Sequence, residues 1–338
     1  MTAILSQLPL DEAAVSRLEA LPGVSVRLVE PHERWWDLTD ELVRGPEILL
    51  CKFPPRNLHA MADLKLMQLG TVGYEHLRHL GLADRPLRVC NARGIFDTGI
   101  AEWNLAMMVN LTRDLRGMIR NQDAARWART DTFQQEIRGR VVGLWGYGGI
   151  GRDTARLAKA FGMKVHIMTR SGVRPRHNTY VLPGTGDPEG VLPDGVFVAG
   201  QERAFLAELN FLVLALPHTQ KSNGLVGEAE LQMLPRTAFV LNPARGPIIQ
   251  EAALLKALRE GWIAGAALDT HFTYPLPPEH PLWQFPNVIL TPHISGADKS
   301  RDFPARIADL FLQNVRRFVE GKPLLNELTR DEWREVGS

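Results

Sequence analysis

One glycine-rich stretch limits the possible folds of this chain more than any other. In residues 140–151 an apolar run passes into a Gly-x-Gly-x-x-Gly pattern made by Gly146, Gly148 and Gly151. Apolar residues at helical spacing follow, and then a second short apolar run. Strand, glycine turn, helix and strand within about 30 residues are typical of a dinucleotide-binding unit, in which glycines let the backbone approach a pyrophosphate at a helix N-terminus. The alternative is a plain strand-to-helix turn; it would be favoured for an isolated glycine match, and the flanking elements weigh against it.

Length and composition indicate an ordinary globular protein. At 338 residues two domains are the natural expectation, and 45% hydrophobic with 23% charged residues is usual for a soluble protein. The net charge of +1 gives no reason to expect nucleic acid or an anionic membrane as a partner. Cys51 and Cys90 form no metal-binding or disulfide-rich pattern, so we expect no metal site and a reducing cytoplasm. We see no secretion signal at the N-terminus and no apolar run near the ~18 residues that span a bilayer.

Strands and helices alternate on both sides of the glycine stretch, which predicts parallel sheets with helices on both faces. The predicted strands are 24–29, 48–51, 64–69, 87–90, 211–216, 239–241, 264–268 and 288–290, and the predicted helices are 11–21, 101–126 and 251–260. The long helix at 101–126 would suit a connector between domains. Residues 171–200 are rich in glycine and proline with little periodicity, so we expect a long surface excursion there.

Polar residues recur where predicted strands end. Arg245, Asp269 and His293 each follow a short apolar run, and the glycine-bearing loop 70–74 follows another. In open α/β sheets ligands bind at the carboxyl ends of the strands, so these positions are candidates for a binding site. A plain turn is an equally good interpretation of the loop 70–74 from composition alone.

The motifs together resemble those of the D-isomer-specific 2-hydroxyacid dehydrogenases. The glycine stretch is followed, in the order and at spacings similar to that family's, by Leu216–Thr219, Asn242–Pro247, Ala267–Asp269 and Thr291–His293. The resemblance implies two doubly wound parallel-sheet α/β domains. A flavodoxin-like substrate domain would be formed by residues 1–101 and 295–338, with a Rossmann cofactor domain inserted at 102–294. It also implies a homodimer and a small 2-oxo or 2-hydroxy acid as the substrate.

The same resemblance implies roles for single residues. Arg245 would bind the substrate carboxylate and polarise the C2 carbonyl, and a planar, permanently charged guanidinium suits that role. His293 would be the acid that protonates the carbonyl oxygen. The backbone of Val72 and Gly73 would meet the substrate carboxylate. Taken alone, the arginine could be a solvated charge, the histidine structural, and Asp269 a helix cap. Residues expected to bind the cofactor are Gly146, Gly148, Gly149, Ile150, Gly151, Thr169, Arg170, Pro217, Ser222, Pro243, Ala244 and Asp269, the last of these facing the nicotinamide. Trp35, Trp36, Lys52 and Phe53 are further candidates to approach the substrate, with packing as the simpler interpretation.

One position departs from the family. A glutamate that hydrogen-bonds the catalytic histidine is expected five residues after Asp269, and Tyr274 stands there. A neutral phenol can orient an imidazole but does not stabilise imidazolium as a carboxylate does. We therefore predict that His293 loses its proton more easily than in glutamate-containing relatives. His271 and Glu279 are possible replacement partners.

The second strand of the glycine unit predicts NADP rather than NAD. An NAD-preferring unit carries an acidic residue at that strand end to bind the ribose 2′-hydroxyl. Thr169 and Arg170 stand there instead, with Arg174 and Arg176 close behind. Removing a repelling carboxylate and adding guanidinium donors favours a 2′-phosphate, similar to the NADP-using glyoxylate and hydroxypyruvate reductases of the family.

The sequence thus predicts an NADPH-dependent reductase of a small 2-oxo acid. Two alternatives stay open because of Tyr274: a dinucleotide-binding sensor or regulatory protein without ordinary turnover, and an oxidoreductase that acts on an atypical substrate.

Overall fold

The computed structural model describes residues 2–31, 36–77, 80–82, 85–129, 135–329 and 332. The protein forms two compact units. The first contains Met1–Ile95, Asn178–Tyr180 and Lys299–Ser338, and the second contains Phe96–His177 and Val181–Asp298. These units differ from the predicted division into 1–101, 102–294 and 295–338 at both boundaries, and Asn178–Tyr180 belong to the first unit.

Strands and helices alternate along the described residues. The strands are β1 (Thr2–Ser6), β2 (Val24–Leu28), β3 (Pro46–Cys51), β4 (Leu66–Leu69), β5 (Arg88–Cys90), β6 (Val141–Trp145), β7 (Lys164–Thr169), β8 (Gly195–Val198), β9 (Phe211–Leu214), β10 (Phe239–Asn242), β11 (Gly265–Leu268) and β12 (Val288–Leu290). The helices are α1 (Glu12–Glu19), α2 (Asp40–Val43), α3 (Asp97–Thr112), α4 (Leu115–Asp123), α5 (Gly149–Ala160), α6 (Glu202–Leu206), α7 (Glu228–Met233), α8 (Glu251–Glu260) and α9 (Phe303–Val319).

Each unit is built on one parallel sheet, as predicted. The first has the order β2-β1-β3-β4-β5, which is the flavodoxin-like order. The second has the order β12-β11-β10-β9-β6-β7-β8, the doubly wound Rossmann order extended by one strand. Its strand order reverses between β6 and β9, so a crevice is expected beyond the carboxyl ends of these two strands. The predicted fold class is confirmed.

The second sheet is buried on both faces, which explains its nearly continuous apolar strands. In β9, Leu212 and Leu214 pack into one core cluster, while Phe211 and Val213 pack into the other. Successive side chains of a strand point to opposite faces of the sheet, so a strand that is covered on both faces must be apolar at every position.

The prediction of one helix over 101–126 is wrong. The backbone breaks between α3 and α4 at Asp114, whose φ of 46° is left-handed. The Asp114 carboxylate accepts a hydrogen bond from the backbone N–H of Gly117 at 3.1 Å, which caps a new helix. Apolar periodicity alone does not reveal such a cap.

Two further predictions need correction. The strand β1 is absent from the strands predicted above. Residues 171–200 are not simply a surface excursion, since β8 ends the segment and Tyr180 and Asp187 are only 3% and 5% exposed. Within the described part of the protein, no helix is long and apolar enough to cross a membrane.

Candidate active site

The glycine loop between β6 and α5 has the shape of a phosphate cradle. Gly146 has a φ of 104°, and a Cβ there would lie 2.5 Å from the Ala215 carbonyl oxygen. A Cβ on Gly151 would lie 2.4 Å from the Gly146 carbonyl oxygen. Gly148 is the N-cap of α5, and a Cβ there would meet no atom within 4 Å. The first and third glycines are therefore required by packing, while the second faces open space at a helix N-terminus, where a pyrophosphate would fit.

Sequence reasoning missed a carboxylate beside this loop. A Cβ on Gly149 would lie 1.7 Å from Oδ2 of Asp97, the first residue of α3. The acidic group therefore packs at the N-terminus of α5, where the helix dipole favours negative charge. No sequence signal marks Asp97, because its position depends on the packing of α3 on α5. Ile150, the next residue of the helix, is half-buried.

The end of β7 carries no acidic residue. Thr169 is half-buried; its hydroxyl donates to the carbonyl oxygen of Gly172 at 3.1 Å and accepts from the amide N–H of the same residue at 2.9 Å. This contact forms a tight turn at the start of the arginine loop, which we define as residues 170–176. The guanidinium-bearing residues Arg170 and Arg174 in this loop are exposed.

Side-chain hydrogen bonds within the loop after β9 fix its conformation. Pro217 is exposed, whereas Ser222 is 7% exposed and donates its hydroxyl to the Pro217 carbonyl at 2.7 Å. Ser222 also accepts a hydrogen bond from the Thr219 N–H at 2.8 Å. The hydroxyl of Ser222 therefore fixes the shape of this loop, and its contact with a cofactor stays a prediction.

Asn242 fixes the turn after β10 and so positions Arg245. Its amide group accepts a hydrogen bond from the N–H of buried Ala244 at 3.1 Å and donates to the Arg245 carbonyl at 2.9 Å. Pro243 is buried in the same turn. The Arg245 guanidinium donates to the Ala244 carbonyl at 2.7 Å. A Cβ on Gly246 would lie 2.3 Å from the His271 carbonyl oxygen, so this glycine brings the loops after β10 and β11 together.

Asp269, at the end of β11, binds the segment that carries His293. It is 0% exposed, and its carboxylate accepts hydrogen bonds from the Thr291 hydroxyl at 2.6 Å, the Ile294 N–H at 2.9 Å and the Ser295 N–H at 3.0 Å. Both carboxylate oxygens are therefore bonded to the segment 291–295, and the role of Asp269 towards the nicotinamide stays a prediction. Asp269 is a positioning residue here.

His293 lies at the rim of the sheet in an unusual backbone conformation. Its φ of 57° is left-handed, and its N–H donates to the Thr291 carbonyl at 3.0 Å. Desolvation, followed by the positive charge of Arg245, holds the pKa of His293 below its ordinary value, and the carboxylates of Asp269 and Asp298 oppose this. The residue is more than a third exposed, so solvent screens these effects.

Tyr274 contacts His293 through its ring rather than its hydroxyl. The two ring centroids are 5.6 Å apart with a 46° angle between the planes. The Tyr274 hydroxyl accepts a hydrogen bond from the His271 N–H at 3.1 Å. Partial desolvation raises the pKa of Tyr274, which is 56% exposed, and the phenol is neutral at physiological pH. The phenol therefore supplies no negative charge to the imidazole.

His271 is not a substitute for the missing carboxylate. It is 6% exposed, and its Nε2 lies 2.8 Å from the Thr291 carbonyl oxygen, to which it donates. Its Nδ1 is buried with no hydrogen-bond partner. The positive form of His271 would lower the pKa of His293, which is the opposite of what a carboxylate does. The carboxylates that raise the pKa of His293 most are those of Asp269 and Asp298.

The first unit contains a loop whose backbone is fixed. The Val72 carbonyl accepts a hydrogen bond from the Asn91 amide group at 2.9 Å, and the Gly73 carbonyl accepts one from the Thr71 hydroxyl at 2.8 Å. In a trans peptide the N–H points opposite to the C=O, so the Gly73 N–H is directed away from Asn91.

Two of the other candidates in the first unit contact each other. The Trp36 indole donates to the Phe53 carbonyl at 2.8 Å, which favours a packing role, and Lys52 donates its backbone N–H to the Gln7 amide oxygen at 3.0 Å. Trp35 lies outside the described residues. Across the ranges that the structure describes, no group of three or more His, Cys, Asp or Glu residues could hold a metal ion.

Comparison with known proteins gives a consistent result. Residues 105–295 match the family model described as "D-isomer specific 2-hydroxyacid dehydrogenase, NAD binding domain". A glyoxylate reductase of Thermofilum pendens is 29% identical over 331 residues, covering 91% of both sequences. A solved D-isomer specific 2-hydroxyacid dehydrogenase of Xanthobacter autotrophicus, in complex with NADPH, is 28% identical with a TM-score of 0.75 and covers 98% of both proteins. The NADPH-dependent glyoxylate/hydroxypyruvate reductase of Sinorhizobium meliloti, solved with NADP, is 25% identical with a TM-score of 0.74, covering 98% of the present protein and 99% of that one.

Proposed function

This protein belongs to the D-isomer-specific 2-hydroxyacid dehydrogenase family, and we propose that within it the protein is an NADPH-dependent reductase of a small 2-oxo acid. Family membership makes it a nicotinamide-dependent oxidoreductase of CH–OH groups. The observation that carries the finer proposal is the placement of Arg245 and His293 after strand ends at one edge of the second sheet, close enough for the charge of one to shift the pKa of the other.

The glycine loop fits a nicotinamide dinucleotide. The open space at Gly148 and the N-terminus of α5 suit the pyrophosphate, and Gly149 and Ile150 continue the helix away from it. Pro217, Pro243 and Ala244 follow the ends of β9 and β10 at the same edge of the sheet. Once bound, the reduced nicotinamide supplies the hydride to C2 of the substrate.

The preference for NADP is supported by the end of β7. Thr169 offers no charge to repel a 2′-phosphate, and the exposed guanidinium of Arg170 can donate to it. Two similar structures, from Xanthobacter autotrophicus and Sinorhizobium meliloti, contain NADPH or NADP.

Arg245 and His293 would perform the substrate chemistry. Arg245 would bind the carboxylate of the 2-oxo acid and stabilise negative charge that develops on the C2 oxygen. His293 would donate its imidazolium proton to that oxygen. Asp269 acts through the backbone, because its hydrogen bonds to the N–H groups of Ile294 and Ser295 fix the segment that presents the imidazole. Val72 and Gly73 stay candidates for binding the substrate carboxylate.

The substrate itself is proposed from the relatives and from chemistry. The similar proteins from Thermofilum pendens and Sinorhizobium meliloti are named for glyoxylate or for glyoxylate and hydroxypyruvate. Such small 2-oxo acids present the carboxylate and adjacent carbonyl that Arg245 and His293 require. The product would be the 2-hydroxy acid, with D configuration where C2 is a stereocentre.

Tyr274 gives a reason to keep two other functions. Because no carboxylate stands at this position, two alternatives stay open: a dinucleotide-binding sensor without ordinary turnover, and an oxidoreductase that acts on an atypical electrophile. NADPH oxidation should be followed with glyoxylate, hydroxypyruvate and bulkier 2-oxo acids. We expect saturable turnover with one of the small acids and a lower kcat/KM with NADH. Tight NADPH binding without turnover across this panel would favour the sensor, and turnover of only bulky acids would favour the atypical substrate.

We also propose a homodimer in the cytoplasm. Leu115, Ile119 and Trp283 are 39%, 48% and 44% exposed and line a cavity of about 370 Å³ beside the edge strand β12, while Trp127 is 98% exposed. A second copy of the protein would cover this apolar surface. The two cysteines are buried and unpaired, which suits a reducing compartment. Sedimentation of the wild type and of Ile119→Asp tests the dimer: a monomeric wild type would refute it.

A further inference from the structure

The buried guanidinium of Arg152, in the first turn of α5, connects three stretches of backbone in the second unit. The residue is only 5% exposed. Its Nε donates to the Tyr147 carbonyl at 3.2 Å, its Nη2 to the Arg174 carbonyl at 2.5 Å, and its Nη1 to the carbonyls of Asp187 and Pro188. Tyr147 belongs to the glycine loop and Arg174 to the arginine loop, so one guanidinium links the two.

Burying the guanidinium of Arg152 costs free energy that packing alone does not require. Burial is the main cause that lowers the pKa of Arg152, so its charge is imperfectly compensated. An apolar residue would fill the same space without that cost. What a guanidinium adds is a rigid, planar set of donors that can hold several carbonyl groups at fixed mutual positions.

The segment between β7 and β8 is attached to the glycine loop a second time, at Asp187. The Tyr147 hydroxyl donates to the Asp187 carboxylate at 2.5 Å, and Asp187 also accepts hydrogen bonds from the N–H groups of Gly190, Val191 and Leu192 at 3.0 to 3.1 Å. The Tyr147 ring lies 4.9 Å from the Arg152 guanidinium carbon. The irregular segment between β7 and β8 is therefore attached to the glycine loop both at Arg174 and at Asp187.

We propose that Arg152 is a positioning residue that determines the preference for a 2′-phosphorylated cofactor. The inference rests on the proposed use of NADPH. The covalent structure of a dinucleotide limits the distance between its pyrophosphate and its adenosine ribose. The glycine loop and the arginine loop must therefore be held at a matching distance if one is to bind the pyrophosphate and the other the 2′-phosphate. Arg152 fixes that distance without contacting the cofactor, since it acts through the backbone carbonyls of Tyr147 and Arg174.

The role predicts a selective loss of affinity. Dissociation constants for NADPH and NADH should be measured by titration calorimetry on the wild type, Arg152→Gln and Arg152→Lys. Both variants should weaken NADPH binding by about tenfold or more and change NADH binding by less than about threefold. The difference is expected because the arginine loop contacts only the 2′-phosphate, which NADH lacks, so a misplaced loop weakens the binding of NADPH alone. Arg152→Lys keeps the positive charge but cannot hold several carbonyls in a plane. If attraction at a distance were the cause, this variant would keep its affinity for NADPH, and the proposal would be wrong.

The matched control is Lys159→Gln. It removes one positive charge from α5 and an exposed ion pair to Asp194 at 2.8 Å. It leaves the hydrogen bonds between Arg152 and the backbone carbonyls intact. Both affinities should stay within about twofold of the wild type, because exposed ion pairs contribute little.

The outcomes separate the two proposals. Equal affinity of the wild type for NADPH and NADH would refute the preference for NADP. A wild type that prefers NADPH, with Arg152 variants that lose both cofactors in proportion or keep the preference, would refute the role of Arg152 alone. If circular dichroism shows that the Arg152 variants do not fold, Tyr147→Phe decides. It removes only the hydroxyl held by Asp187 and should also weaken NADPH binding more than NADH binding; equal effects on both would overturn the proposal.

Discussion

The ring of Tyr274 lies against the imidazole of His293, with 5.6 Å between the ring centroids, while its hydroxyl is bonded to the N–H of His271. The tyrosine therefore shields one side of the imidazole without supplying a charge. Desolvation and the nearby Arg245 lower the pKa of His293, and the opposing carboxylates of Asp269 and Asp298 do not restore it. His293, the acid proposed for the reaction, therefore loses its proton more easily than an ordinary histidine.

Tyr274→Glu should shift the pH dependence of reduction to higher pH. Reduction needs protonated His293, so kcat/KM is expected to be full below the pKa of this residue and to fall as pH rises through it. In the wild type this pKa is lowered, which places the fall below the ordinary value of 6.5. A glutamate would move the fall upward by about 1 pH unit, since a nearby opposite charge favours the charged form. Tyr274→Gln is the uncharged control; identical profiles for both variants and the wild type would refute this account.

His293→Gln should remove most of the turnover and spare the cofactor. Loss of a general acid lowers kcat by about 10²- to 10⁴-fold. The dissociation constant of NADPH should stay within about twofold, because the phosphates are assigned to the glycine and arginine loops rather than to this segment. Single-turnover rates and NADPH fluorescence titrations measure the two effects. A kcat reduced less than about threefold would exclude His293 as the proton donor.

Thr169→Asp should reverse the preference between the two cofactors. A carboxylate at the end of β7 would repel the 2′-phosphate and bind the ribose hydroxyl of NADH. It can still accept the Gly172 N–H that the threonine hydroxyl now binds at 2.9 Å, so the turn should survive. We expect KM for NADPH to rise at least about tenfold and KM for NADH to fall. Thr169→Ser keeps the hydroxyl and serves as the control, and an unchanged ratio of the two KM values in the aspartate variant would argue against a 2′-phosphate site here.

The fold is largely accessible from the sequence because it depends on local patterns. Helix α8 is predictable at its observed bounds, since Gly261 ends it in a left-handed conformation with a φ of 65°. The break at Asp114 escapes prediction because a single capping carboxylate interrupts an apolar pattern that continues across it. The strand β1 also escapes prediction, since it is identified by its pairing with β2 and β3.

The site is less accessible because it depends on contacts between distant segments. The strand ends that carry Arg245 and His293 can be found in the sequence, but the direction of the Asp269 carboxylate cannot. Its three donors lie 22 to 26 residues away in the sequence. In the sequence Arg152 likewise looks like an ordinary helix residue. It is buried because the distant segment around Asp187 packs against its guanidinium.

Asp269→Asn should weaken both the stability of the second unit and the presentation of His293. An amide has one acceptor oxygen, so at least one of the donors now bound to the carboxylate, the Thr291 hydroxyl and the N–H groups of Ile294 and Ser295, would face an NH₂ group. An unsatisfied buried donor costs about 1–3 kcal/mol, so urea unfolding should show a loss of that size. Asp298→Asn, an exposed carboxylate in the same segment, should change the free energy of unfolding by less than about 0.5 kcal/mol. Because Asp269 holds the backbone that carries the imidazole, kcat should fall more than the affinity for NADPH. A stable Asp269→Asn variant with wild-type kcat would show that the buried carboxylate does not position His293.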